Sequence, residues 1–353
     1  MALGATAETV ANANLAAATR ALIIKGFKEQ VLMKNPLLTK MLLASRVTWQ
    51  GGTSIKQAVK YTDLSSLVQD YNPNDALTAE RKTMFEQPWF DWRYAQVPLV
   101  YDIEEKLQNM SGGSDTQIFS LASVLSKAGL EALRIWLTKC AYEIPDSGST
   151  QLASSDTRTT NPRFQSIIQA LNHDATYARL SRATTVTNKW WQSASIADTY
   201  ADQDTDIGWS INTVRQARQA IDLYSSGPQD LICLVGSVGH LALKREIESR
   251  HMYVNPGPLA KYGFDSFTID GLEVVHDPYL RNSLVGNAHK WLLILNIKDW
   301  EFRLHPQRAF EVAPFTHQGN VPNGVDMWLS RIYLAGNLVC WKPSGSIWLS
   351  ALT

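Results

Sequence analysis

The chain has 353 residues, 45% of them hydrophobic, which is enough for roughly two ordinary domains with their own core and excludes a disordered chain. Its 33 basic and 33 acidic side chains cancel, so no bulk field draws it to nucleic acid or to an anionic membrane, and any polyanion contact has to be local. The strongest apolar run, 291–297, is far short of the ~20 residues of a membrane helix.

Residues 1–18, rich in Ala, Thr and Asn, lack the cationic start and apolar stretch of a secretion signal, so secretion by that route is not expected. Cys140, Cys233 and Cys340 are odd in number and far apart in sequence. They read as buried free thiols in a reducing compartment, not as a disulfide framework.

Residues 1–46 form an arm. Leu15, Ala18, Leu22, Ile23, Phe27, Val31 and Leu32 recur at helical spacing until Asn35-Pro36 stops them. The first fifty residues carry six basic side chains, including Arg20, Lys25 and Lys28, against Glu8 and Glu29 alone. A solvated helix face is the plain reading, and a local contact with a polyanion is the functional one.

From 47 to 101 the spacing predicts a long two-stranded hairpin. After the Gly51-Gly52 turn, Ile55, Val59 and Tyr61 alternate with Lys56 and Lys60; Asp70-Tyr-Asn-Pro-Asn-Asp75 is dense in turn formers; Phe90, Trp92 and Tyr94 alternate with Asp91 and Arg93 on the return. Two strands alone cannot bury such an aromatic row, so Phe90, Trp92 and Tyr94, with Arg81 and Lys82 nearby, are candidates for contact with a neighbouring subunit.

A single helix is predicted over 114–142, opened by the Ser114/Gln117 capping pattern, with Ile118, Leu121, Leu125, Ala128, Ala132 and Ile135 on one stripe. About 28 residues give a rod of roughly 42 Å, suited to a strut. Residues 143–163, rich in Ser, Thr, Gly, Asp and Pro, read as a surface connection. A short helix follows at 164–172, and 174–206, with Trp190-Trp191 among polar residues, resists assignment.

Beyond this the texture is that of an α+β domain. Helices are predicted at 210–224 and 238–249, and strands at 231–235, 267–269, 272–276 and 291–297; the tail, 327–341, holds strand-like runs able to rejoin the first module's sheet.

No catalytic, cofactor or metal constellation emerges. Asp202-x-Asp204-x-Asp206-x-Gly208 lacks the glycine offset of a calcium loop and its acidic twelfth position, which here is Thr213, and reads as an acidic loop before a helix capped by Ser210. Gly236-Ser237-Val238-Gly239 completes neither a phosphate loop nor a nucleophile elbow, and reads as a strand-to-helix turn. The histidines are single, and the twelve tryptophans are dispersed as packing and interface anchors, not interleaved with basic residues.

The order of elements is then the informative feature. Asn35-Pro-Leu-Leu-Thr-Lys40, Gly51-Gly-Thr-Ser-Ile55 at the hairpin and the closing Leu334-Ala-Gly-Asn-Leu-Val-Cys-Trp-Lys-Pro343 stand in an order that resembles the major capsid proteins of tailed bacteriophages, the Hong Kong ninety-seven type of coat fold. The resemblance implies an α+β coat fold with 1–46 as N-terminal arm, 47–101 as E-loop, 102–209 with 311–353 as P-domain including the spine helix, and 210–310 as A-domain.

It further implies a structural, non-enzymatic subunit that assembles as hexamers and pentamers into an icosahedral shell around double-stranded DNA, without cofactor or membrane. A separate scaffolding protein and a portal protein would be its partners, because the arm is too short for a fused scaffold, and the shell would assemble in the host cytoplasm. Some members crosslink a hairpin lysine to a neighbour; Lys82 is a candidate donor here, with no identifiable acceptor. The competing readings are an encapsulin compartment of the same fold and an unrecognised α+β enzyme.

Overall fold

The computed structural model describes residues 36–37, 46–48, 52–72, 80–108, 121–142, 164–172, 176–182, 189–196, 210–222, 230–249, 265–280, 288–318 and 326–349. These fall into two compact units. The first is drawn from Ala95–Trp136 and Gln307–Leu334, the second from Lys34–Tyr94, Leu137–Pro306 and Ala335–Thr353.

The second unit holds a five-stranded mixed sheet of β7 (Leu231–Val235), β8 (Ser266–Ile269), β9 (Leu272–His276), β10 (Leu292–Asn296) and β14 (Ile347–Leu349), in the order β14–β10–β7–β9–β8. β7 and β9 are parallel, with Cys233 opposite Val274, and the other pairs are antiparallel. Every residue of β7 and β10 is buried, the mark of strands covered on both faces. These are the continuous apolar runs of the sequence, and all three cysteines are free and buried, two of them in strands.

Two helices, α4 (Ile211–Asp222) and α5 (Ser237–Ser249), cover one face of this sheet. α4 presents Ile211, Val214, Ala217 and Ile221 at helical spacing to Cys233, Val274 and Ile294. It starts where the sequence places its cap: Ser210 Oγ accepts the Thr213 N–H at 3.1 Å, and Glu246 of α5 accepts the Ile211 N–H at 2.6 Å. Gly236 makes the strand-to-helix turn, its N–H donating to the Trp291 carbonyl at 3.0 Å. A Cβ there would lie 2.4 Å from the His289 carbonyl oxygen, so the glycine serves close backbone approach. A shorter helix, α3 (Ile167–Leu171), is capped by Ser166, which accepts the Gln169 N–H at 3.0 Å.

A second sheet uses four further strands: β6 (Arg93–Asp102), β11 (Trp300–Val312), β12 (Thr316–His317) and β13 (Met327–Cys340), with β1 (Arg46–Thr48) on one edge. Its order is β1–β11–β13–β12, with β6 also paired to β13. The predicted return of the tail to the sheet is thus observed in β13. β1 runs parallel to β11, placing Arg46 beside Phe302.

β11 was not expected from the sequence. Trp300, Phe302 and Leu304 do alternate inward, but Pro306 and the charged Glu301 and Arg303 argue against a central strand. Arg303 is buried, yet donates to Glu301 at 2.6 Å and to Gln57 at 2.8 Å, which offsets its desolvation.

In the first unit, helix α1 (Ile103–Gln108), also unexpected, follows β6 directly. Helix α2 (Leu121–Tyr142), counted to the first unit as far as Trp136 and to the second from Leu137, is the predicted long helix; 114–120 lie outside the described residues. Twenty-two residues give about 33 Å. Its buried stripe is Gly129, Leu133, Leu137 and Cys140, whereas Ala128 and Ala132 of the predicted stripe are exposed. The reason is Gly129: a Cβ there would come within 2.8 Å of the Leu99 and Ile332 side chains, so the backbone packs where a larger residue cannot. No helix among the described residues is long and apolar enough to cross a membrane.

The last residue of α2 makes a buried polar link in the second unit. The Tyr142 hydroxyl donates to Asp277 Oδ2 at 2.5 Å, and Asp277 Oδ1 accepts the Tyr279 N–H at 2.9 Å. Burial pushes the Asp277 carboxyl up from 3.8 to about 6, against the pull of those two hydrogen bonds. The folded chain therefore keeps this proton to higher pH than the unfolded chain. The stability this lends is complete below about pH 4 and lost as pH rises through about 6, on the order of 3 kcal/mol.

Asp299, also raised to about 6 by burial, acts in the same direction, and His240, pushed down to about 4, acts oppositely. Asp277→Asn is thus expected to flatten the fall in stability between about pH 4 and pH 7 relative to the parent, read from chemical denaturation of the unassembled chain. An unchanged difference between the two pH values would contradict it.

Candidate assembly surface

Four short strands build the predicted hairpin. β2 (Ile55–Lys56) pairs with β5 (Trp89–Phe90), and β3 (Val59–Lys60) with β4 (Phe85–Glu86), both antiparallel. Ile55 lies opposite Phe90 and Lys56 opposite Trp89, so the base of the hairpin has one apolar and one mixed face. Further out, the Tyr61 N–H donates to the Met84 carbonyl at 3.0 Å, and the Tyr61 ring stacks on Trp190 with centroids 5.1 Å apart.

The predicted aromatic row does not exist as one row. Phe90 is fully buried, edge-on to Tyr177 and to Trp341 at 5.3 Å each, and so anchors the hairpin in its own chain. Trp92 is half-buried; its indole donates to the Gly52 carbonyl at 3.0 Å and its ring meets His305 at 5.9 Å. Tyr94 alone points outward, 71% exposed.

The cause is a break in the pleat. Residues 91–92 belong to no strand, and the inward side passes from the even position Phe90 to the odd positions Arg93, Ala95, Val97 and Leu99. A one-residue change of phase sends every following side chain to the other face.

Beside Tyr94, the hairpin exposes further apolar groups on the excursion between β3 and β4 and along its return. Leu64, Val68 and Tyr71 are exposed, Val68 at 78% and Tyr71 at 65%, as is Phe85 at 56%. This segment is locally built and not merely extended. Asp63 Oδ1 accepts the Ser65 N–H at 3.1 Å and its hydroxyl at 2.6 Å, bonds that hold the Asp63 carboxyl below its usual value, and a helical turn Ser65–Leu67 follows. Lys82 Nζ donates to Ser66 Oγ at 2.7 Å and is half-buried, while Arg81 is exposed. Sequence pattern missed Leu64, Val68 and Tyr71 because they follow no strand or helix period. Their one signal was apolar bulk among turn formers.

Arg20, Lys25 and Lys28 lie outside the described residues, as does the acidic run Asp202 to Asp206. Among the described residues, no group of three or more His, Cys, Asp or Glu side chains is placed to hold a metal ion.

A tight turn, Tyr177–Leu180, lies against the hairpin base. Ala178 and Arg179 at its centre have φ of 53° and 64°. Left-handed backbone costs a residue with a Cβ about 1–2 kcal/mol.

Neither a protein-family model nor a curated protein matches the chain. Solved structures do. The capsid of cyanophage A-1(L) superposes with a TM-score of 0.60 at 15% identity, over 93% of this chain and 95% of that one. The holo-SrpI encapsulin complex of Synechococcus elongatus gives 0.52 at 9% identity over 95% of each chain. The capsid of Myoviridae phage XM1 gives 0.52 at 11% identity, over 94% and 98%. At these identities the likeness concerns the fold, which is the α+β coat fold that the order of elements resembles.

Proposed function

We propose that this protein is the major coat subunit of a tailed-phage capsid, which assembles as hexamers and pentamers into a closed icosahedral shell around double-stranded DNA. The observation that carries the reading is a hairpin anchored at its base by Ile55 and Phe90 yet exposing Leu64, Val68, Tyr71 and Phe85, on a fold shared along nearly the whole chain with phage capsids. Apolar groups displayed on an extended arm call for a second surface to cover them.

In this reading 47–101 is the E-loop, 102–209 with 311–353 the P-domain and 210–310 the A-domain. Arg81, Lys82, Trp92 and Tyr94 are proposed to contact a neighbour, supported most by the exposure of Arg81 and Tyr94. The role is structural and not enzymatic; a separate scaffolding protein and a portal protein complete the assembly, which takes place in the host cytoplasm. Coexpression with the scaffolding protein of the same genome, followed by size exclusion and electron microscopy, should give megadalton shells. A monodisperse monomer or small oligomer under every condition would overturn the proposal and favour an enzyme.

The encapsulin match supports a second reading, a compartment enclosing protein cargo. Nucleic acid in purified particles favours the capsid, and a cargo enzyme favours the compartment. The basic arm makes the same distinction. Changing Arg20, Lys25 and Lys28 together to Gln is expected to lower DNA content or particle yield severalfold while the melting temperature of the unassembled chain is unchanged, because charge neutralisation of a polyanion is lost. Equal yield and equal DNA content would mark the arm's charge as a solvated face.

A further inference from the structure

The turn at 177–180 holds two residues with side chains in left-handed backbone, Ala178 and Arg179. Its ends close on each other, the Tyr177 and Leu180 N–H groups each donating to the other's carbonyl at 3.0 Å. Two successive left-handed residues are the pattern that such turns reserve for glycine, asparagine or aspartate, and here they are alanine and arginine. Backbone of this kind persists only where its surroundings over-determine it.

One restraint comes from the core. Tyr177 is fully buried between Phe90 and Trp191, its hydroxyl accepts the Cys340 N–H at 3.0 Å, and its carbonyl accepts the Trp191 indole N–H at 3.2 Å. The other restraint is the hairpin base. The Ala178 carbonyl accepts the Trp89 N–H at 3.2 Å. Arg179 donates to Asp91 Oδ1 at 2.9 Å, and its guanidinium lies 5.2 Å from the centre of the Trp89 ring. Lys56, the partner of Trp89 across the strand pair, places its ammonium 3.3 Å from the same ring. The left-handed pair thus directs a main-chain acceptor and a cationic side chain onto one short segment, Trp89–Asp91.

We infer that the turn Tyr177–Leu180 is a clasp on the base of the hairpin, in which Tyr177 and the Ala178 carbonyl set the position and Arg179, through Asp91 and Trp89, is a releasable outer fastening that restricts the hairpin's motion about its buried anchor. The fastening lies in solvent, with the Arg179 side chain 60% and the Asp91 side chain 44% exposed, so salt screens it. Arg93, 3.9 Å from the other Asp91 oxygen, shares the carboxylate but is itself buried. β2 and β5 pair through only two residues each, and the buried Phe90, the Tyr61–Trp190 stack and the Asn337 amide, which donates to the Asp91 carbonyl at 2.9 Å, also tie the hairpin base to its unit; the contacts of Arg179 are the exposed part of this attachment. The consequence for assembly rests on the coat-protein reading, whereas the clasp belongs to the single chain.

Hydrogen–deuterium exchange on the unassembled chain tests the clasp. Arg179→Ala is expected to speed exchange in peptides covering 55–60 and 85–92 by about fivefold to tenfold, the combined worth of an exposed ion pair and a cation–π contact, and Asp91→Asn, which leaves the cation–π contact in place, by about twofold to fivefold, with strands 231–235 and 292–296 unchanged in both. The double variant should add little to the larger single effect. High salt should loosen the parent hairpin in the same way and leave Arg179→Ala nearly unaffected, and Arg179→Lys should restore only part of the protection.

Ala178→Gly, which relaxes the backbone and keeps the fastening, should leave hairpin exchange at the parent level. Parent-like exchange in Arg179→Ala, an equal rise in the core strands, or a loss in Ala178→Gly as large as in Arg179→Ala would each overturn the inference. The two readings fail separately. Shells with an exchange pattern indifferent to Arg179 would sink the clasp alone, and the expected exchange pattern in a chain that never forms shells would sink the coat-protein reading alone.

Discussion

Changing Leu64, Val68 and Tyr71 together to serine is expected to abolish closed shells while leaving the melting temperature of the unassembled chain close to the parent's. In the single chain Val68 and Tyr71 lie mostly in water and Leu64 about half, so their removal sacrifices little burial, and surface changes of this kind are usually within about 0.5 kcal/mol each. In the shell they would be covered by a neighbour. Central apolar anchors of an interface cost about 2 kcal/mol or more on truncation, and the loss recurs at every copy of the contact. Sedimentation and electron microscopy against the parent measure the first effect, and calorimetry of unassembled chains the second. Normal shells would mean that the excursion carries no assembly energy, and a large drop in melting temperature would mean that it packs within its own unit.

Phe90→Ala should show the reverse pattern. The ring is fully buried among Tyr177, Trp341 and Ile55, the last of these its partner across the strands. Its removal leaves a cavity at the hairpin base and is expected to cost the unassembled chain about 3–5 kcal/mol, read as a lower denaturant midpoint. Particle yield would then fall only in proportion to the folded fraction. Full stability of the variant subunit with lost assembly would return Phe90 to the interface, where its alternation with Trp92 and Tyr94 first placed it. Together the two experiments separate the energy that anchors the hairpin from the energy that it offers a partner.

The order of elements and most of their limits were legible in the sequence, because local rules govern them. The buried strands at 231–235 and 292–296 are unbroken apolar runs, the helix at 211–222 carries an apolar stripe behind a serine cap, and the long helix runs to Tyr142 as the periodicity requires. The hairpin itself was legible too, from alternation interrupted by a dense group of turn formers.

What the sequence did not disclose depends on residues far apart in the chain. Gly129 marks the buried face of the long helix because Leu99 and Ile332 come close to it, and β11 keeps a buried Arg303 with Glu301 and Gln57 accepting its hydrogen bonds and the Trp341 ring beside its guanidinium. Ala178 and Arg179 show no glycine, asparagine or aspartate signal for a left-handed turn, since the hairpin base and the buried Tyr177 impose it. The same holds for the side chains that face outward. Alternation read through Phe90, Trp92 and Tyr94 supposes one uninterrupted strand, and the sequence alone determines that these residues are aromatic and extended. Only the tertiary structure decides that the strand breaks at 91–92, because the burial of Phe90 on one side of the break and of Arg93 and Leu99 on the other fixes two phases that no single pleat can satisfy.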